Sequence, residues 1–170
     1  MKGPEEMFLD TYNTYSDQIF RFVLFKLSDR EKAKDLTQET FMKTWIHISK
    51  NGNLENVRAF LYKVARNLVV DEYRRKGRVN IRSLDELVED GYDPKTEESE
   101  SLMDKIDGRE ALKFIKQLPQ AYSDILFMRY VEELDISEIA SALDKSTNVV
   151  SVRINRGIKK LKEIISKKNI

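Results

Sequence analysis

Charge changes sign abruptly in the middle of this chain of 170 residues. From Arg58 to Arg82 eight side chains are basic and two acidic, whereas from Ser83 to Glu110 eleven are acidic and three basic. The acidic stretch holds Gly91 and Pro94 and has few apolar side chains before Leu102. A segment of this composition cannot bury enough apolar surface to offset the entropy of ordering it. Like-charge repulsion should hold it extended. The chain is therefore expected to fold as two small domains, residues 1–78 and 105–170, joined by a flexible acidic linker over 79–104.

Both flanking parts carry helical periodicity, so the expected class is all-α. Phe8, Tyr12, Tyr15, Ile19, Phe22, Val23 and Leu27 recur at three- and four-residue spacing. This predicts a first helix from near Pro4 to Leu27, its aromatics in the core. Ser28 followed by Glu31 reads as a capping box that opens a second helix at Asp29. That helix should end near Ser49, where Asn51-Gly52-Asn53 breaks the pattern. A third helix is expected from Glu55 or Asn56 to Lys76, stopped by Gly77. Beyond the linker, one helix should run from about Asp104 to Pro119 and another to about Glu133. Asp135 with Glu138 forms a capping box for a short helix through Leu143. Ser146 can cap a last helix from Thr147 to about Lys167.

The second helix has two unlike faces. Ala33, Thr37, Phe41, Thr44 and Ile48 share the one that should pack inward. Asp35, Glu39, Met42 and Ile46 lie opposite, flanked by Gln38, with Trp45 between the faces. Apolar side chains framed by carboxylates and an amide have the make-up of a protein-binding patch. A third helix covering Met42 and Ile46 would explain them equally well, and periodicity alone does not choose.

On the third helix Val57, Phe60, Leu61, Val64, Leu68 and Val69 form the expected buried stripe. Ala59, Tyr62, Lys63, Arg66, Val70, Tyr73 and Arg74 take the other face. Tyrosines interleaved with cations suit a single-strand nucleic-acid platform, where rings stack on bases and cations track phosphates. The blander reading is a solvated face with half-buried tyrosines; the basic local charge favours the platform.

The last two helices carry a helix-turn-helix signal. Small Ala140 permits close crossing, Asp144 makes the turn, and Val150 anchors the second helix. Val150, Ile154, Gly157, Leu161 and Ile164 should face inward, and Asn148, Ser151, Val152, Asn155 and Lys159 outward, with Arg156 alongside. Asn can pair with adenine, Val can touch a thymine methyl, and Arg and Lys reach phosphate or guanine. From Arg153 to Lys168 seven residues are basic and one acidic, which gives the helix its own attraction for DNA. A helical hairpin with a basic rim is the plainer alternative.

Other chemistries find no support. There is no cysteine, which excludes disulfides, thiolate metal sites and thiol nucleophiles. His47 is the sole histidine, and no cluster of ligands surrounds it in sequence. No constellation of acid, base or phosphate loop suggests an enzyme, and no cofactor is implied. No apolar run approaches the roughly 20 residues that cross a bilayer, and no signal-peptide pattern opens the chain. A soluble cytoplasmic protein without membrane insertion is expected.

Three blocks carry a family resemblance. They are DLTQETFMKTW from Asp35, ENVRAFLYKVARNLVVDEYRRKGR from Glu55, and LPQAYSDILFMRYVEELDISEIASALDKSTNVVSVRINRGIKKL from Leu118. In this order, with a linker between, they resemble the bacterial extracytoplasmic-function (ECF) sigma factors. The resemblance implies that Asp35, Gln38, Glu39 and, more weakly, Met42 grip the clamp helices of the largest subunit of core RNA polymerase. It implies that the loop from Asn51 through Gly52 and Asn53 to Asn56 accepts a flipped-out base of the minus-ten element. Arg58, Tyr62, Lys63, Arg66, Asn67, Arg74 and Arg75 would hold the non-template strand. Asn148, Ser151, Val152, Asn155, Arg156 and Lys159 would read the minus-thirty-five element of promoter DNA. An anti-sigma factor is a partner implied by the family only. Ser151 stands where the family usually has a basic residue and Ile158 where it often has another, which implies weaker or altered promoter reading. A dimeric helix-turn-helix regulator would leave the Asp35–Glu39 patch and the Tyr62–Tyr73 face unexplained. An adaptor of bundled helices would need no DNA at all.

Overall fold

The structure is a computed structural model that describes residues 2–52, 54–77 and 107–168. Among these residues every regular element is helical: α1 (Pro4–Leu27), α2 (Arg30–Asn51), α3 (Val57–Arg75), α4 (Gly108–Lys116), α5 (Gln120–Leu126), a π-helical turn (Phe127–Val131), α6 (Ile136–Leu143) and α7 (Thr147–Lys168). The chain divides into two compact units, α1 to α3 forming the first and the helices from α4 onward the body of the second. The acidic segment assigned to the linker lies outside the described residues.

In the first unit each helix packs on the other two. Ala33, Thr37, Phe41, Thr44 and Ile48 are all buried, as the spacing of α2 requires, together with Leu36 and Thr40. Three threonines could not enter an apolar core with idle hydroxyls. Thr37, Thr40 and Thr44 each donate to the carbonyl four residues back, at 2.7, 2.7 and 2.8 Å. The start of α2 corrects the sequence reading. Ser28 has φ 55 and closes α1 through its N–H to the Leu24 carbonyl. Its left-handed backbone cannot also be an N-cap, so Asp29 serves, accepting from the Lys32 N–H at 3.1 Å.

The inward face of α3 departs from the expected stripe. Leu61, Leu68 and Val69 are buried, but Val57, Phe60 and Val64 are only half-buried. The core takes Ala59, Tyr62, Ala65 and Glu72 instead. The two alanines fit without polar atoms, and the two large polar side chains find partners. Tyr62 meets Phe22 edge-on at 5.5 Å and donates to Gln18 Oε1 at 3.4 Å. Glu72 is a junction for three cations: Arg75 at 2.8 Å, Lys32 of α2 at 3.4 Å and Lys76 at 3.6 Å. The Arg75 hydrogen bond, helped by Lys32, holds its carboxyl below the ordinary value although burial pushes the other way. Because the folded state depresses this pKa, the unfolded chain binds the proton first. The stabilisation is complete above the ordinary carboxyl value of the unfolded chain and is lost as pH falls through the folded one. Glu72→Gln should therefore cost about 1–3 kcal/mol at neutral pH. Thermal melts should show that gap to the wild type closing in acid; a gap constant with pH would contradict the junction.

In the second unit α4 and α5 pack against α7. Gly157 lets α7 approach α5 closely, because a Cβ there would meet Leu126 and Tyr122 atoms at 3.3 Å. Asp135 and Glu138 cap each other reciprocally at 2.7 and 3.2 Å, and Ser146 Oγ accepts from the Val149 N–H at 3.1 Å. The turn before α7 is made by Asp144 at φ 53. The π-turn and the left-handed Glu133 at φ 58 have no counterpart in the sequence reading.

Candidate functional site

The outer face of α2 is open. Asp35, Gln38 and Glu39 are exposed, and Met42 and Ile46 keep 63 % and 47 % of their surface. Within the first unit no helix covers Met42 or Ile46, so the covering-helix reading fails there. The patch continues into a groove of ≈ 610 Å³ between α1 and α2, lined by Glu5, Phe8, Leu9, Tyr12, Gln38, Phe41, Met42 and Trp45. Leu9 and Tyr12 are 59 % and 44 % exposed. This corrects the assignment of every α1 aromatic to the core. Tyr12 packs edge-on to Phe41 at 5.0 Å and Phe8 to Trp45 at 5.3 Å, with part of the tyrosine left at the surface. The signal was present in the sequence as Leu9 and Tyr12, apolar positions three apart beside the buried stripe of α1. Apolar surface with a carboxylate and amide rim is what a protein partner covers.

The expected single-strand residues divide into several fates. Asn51, Gly52, Asn67, Arg74 and Arg75 are exposed, and Asn56, Arg58, Lys63 and Arg66 are half-buried. Asn53 lies outside the described residues. Tyr62 has no exposed surface and cannot be a stacking platform as it stands. Its ring belongs to the α1–α3 core because a partner, Phe22, lies across the interface. Tyr73 is half-buried, and its hydroxyl donates to the Lys26 carbonyl. Asn56 caps α3, its side-chain oxygen accepting from the Ala59 N–H at 3.0 Å. Arg74 lies 3.9 Å from Asp71, an exposed contact of little energetic weight. Arg75 is held by Glu72. Lys63, Asn67 and Arg74 are thus brought to one side of α3, while the tyrosines are not.

The duplex-reading set is also divided. Asn148 and Lys159 are exposed and Ser151 and Arg156 half-buried, but Val152 and Asn155, expected outward, keep only 3 % of their surface each. One reason is that α7 is packed along more than one flank. Gly157 lies against α5, while Ser151, Ile154 and Asn155 line a narrow crevice with Arg129, Tyr130 and Ile136. Apolar Val152 and Ile158 widen the non-polar arc beyond the stripe that periodicity selects. Arg129 donates to the Leu134 carbonyl at 3.1 Å, which fixes the segment that faces this crevice.

Two family models match the chain. Residues 11–79 match the family Sigma-70 region 2, and residues 108–161 match Sigma-70, region 4. The chain is 30 % identical to the ECF RNA polymerase sigma factor SigM of Bacillus subtilis (strain 168), over 81 % of this chain and 82 % of that one. It is 26 % identical to the ECF RNA polymerase sigma factor SigW of the same organism, over 95 % and 90 %. In fold it is similar to the sigma factor RpoE solved with the anti-sigma factor NepR from Bartonella quintana. The TM-score is 0.67 at 18 % identity, covering 94 % of this chain and 96 % of that one. With both family models matched in this order and a 30 % identical relative covered over most of its length, the chain belongs to the ECF RNA polymerase sigma factors.

Proposed function

We propose that this sigma factor seats the outer face of α2 on core RNA polymerase and brings the polymerase to promoter DNA. The observation that carries the reading is the exposed set Asp35, Gln38, Glu39 and Met42, left open on a helix whose other face is fully engaged. The groove containing Leu9 and Tyr12 extends the same contact. Domains are assigned as residues 1–78 for polymerase and minus-ten binding and 105–170 for the minus-thirty-five element, with 79–104 as the tether. Lys63, Asn67 and Arg74 would follow the exposed strand, with Asn51, Gly52 and Asn56 bordering the pocket for a flipped base. Asn148, Arg156 and Lys159 would reach duplex DNA first; Ser151, Val152 and Asn155 would need α7 to become more open. The polymerase supplies the chemistry, and this chain supplies placement and binding energy.

The cytoplasm, where polymerase works, is the expected location; no described helix is long and apolar enough to cross a membrane. A protein inhibitor of the anti-sigma class, as in the RpoE–NepR complex, is the expected regulator. Run-off transcription with core polymerase on genomic fragments tests the reading. Transcripts that depend on the added protein should share two spaced promoter elements. Binding to a palindromic duplex without polymerase, and no transcripts, would favour the dimeric regulator instead.

A further inference from the structure

We propose that Glu72 is a positioning residue for DNA binding, holding the Arg75 guanidinium ready for a backbone phosphate. This rests on the DNA-binding role proposed above for the first unit and adds to it a residue that acts through another. A helix C-terminus carries partial negative charge, so cations suit it and carboxylates do not. Glu72 nevertheless stands in the last turn of α3, with its side chain only 5 % exposed. Helix stability alone asks for no carboxylate there. What Glu72 does is gather cations. Its Oε1 accepts from Arg75 Nη2 at 2.8 Å, and Lys32 and Lys76 lie at 3.4 and 3.6 Å. One carboxylate against three cations leaves two positive charges uncompensated. Among the described residues none of the three pairs with another carboxylate.

Burial separates the partners. The carboxylate lies inside, whereas the Arg75 side chain keeps 67 % of its surface. A guanidinium offers several N–H donors in a rigid planar fork. The bond to Glu72 uses one of them and fixes the plane, and the others remain for a phosphate, which that fork suits bidentately. Lys32 reaches the same carboxylate from α2, so the anchor is tied to two helices. A cation held in place beforehand loses less freedom when the DNA arrives.

Simple electrostatics gives the opposite expectation, because removing a negative charge beside three cations should tighten binding to a polyanion. The sign of the effect is therefore the test. Protein assembled with core polymerase is titrated with a labelled promoter fragment recovered by run-off transcription, at several salt concentrations. Core polymerase alone is the blank, and Trp45 fluorescence of each free variant sets a temperature at which it is folded. Glu72→Gln should weaken binding about three- to tenfold and lower the salt slope by about one. Arg75→Ala should do the same, and the double variant should bind no more weakly than Arg75→Ala alone. Unchanged or tighter binding by Glu72→Gln, or losses that multiply in the double variant, would overturn the proposal. So would undiminished binding by Arg75→Ala, an exposed substitution that decides the matter even if Glu72→Gln does not fold. Failure of run-off transcription to yield any promoter fragment would instead remove the functional reading beneath it.

Discussion

Asp35→Lys combined with Glu39→Lys is expected to weaken capture of core RNA polymerase by at least about a hundredfold, leaving the fold intact. Both carboxylates are exposed and neither stabilises the unit through an internal ion pair of its own, so helix content and melting temperature should hardly change. A complementary interface is far more sensitive. Reversing two charges places like against like where Met42 and Ile46 would be desolvated, and that repulsion has no water to screen it. Co-purification with core polymerase, repeated at rising salt, is the measurement. Undiminished capture by the folded double variant would mean that another surface meets the polymerase.

The second large effect concerns Tyr62, for which two roles predict opposite results. As a core residue, Tyr62→Ala removes a fully buried ring packed on Phe22 and should cost about 3–5 kcal/mol. For a unit of this size that lowers the melting temperature by on the order of 15 °C or more. Trp45, the sole tryptophan, lies in the first unit and reports its unfolding by fluorescence. Tyr62→Phe should cost less than about 1 kcal/mol, because it removes only the long hydroxyl contact to Gln18. A Tyr62→Ala protein that melted normally but bound single-stranded DNA poorly would return the residue to the nucleic-acid surface.

These two sites also mark how far the sequence could be read. The α2 patch was legible only in part: the spacing separates Phe41 and Ile48 from Asp35 and Glu39, but with three threonines on the inner face and Met42 and Ile46 on the outer one it could not say whether those two apolar residues are covered. On α3 the same rule misplaces the core. Tyr62 and Glu72 are polar by type, and their burial depends on Phe22, Gln18 and Lys32, residues remote in sequence. Phe60 and Val64 are apolar by type yet only half-buried. On α7 the spacing identified most of the packed stripe, Ile164 being only half-buried, but a stripe says nothing of a second flank, and Asn155 lies on one. Asp29 in place of Ser28 is a different case. Both residues cap helices well, and only the backbone of Ser28, turned left-handed to close α1, decides between them.

The internal hydroxyl bonds of Thr37, Thr40 and Thr44 have a wider consequence. Each hydroxyl is satisfied within its own helix, so α2 asks no directional polar contact of α1 or α3 along this face. Its inner side meets them by shape alone, and Lys32 to Glu72 is a polar tie near one end. The helix is thereby modular: substitutions among its exposed residues Asp35, Gln38 and Glu39 call for no compensating change in the core behind them.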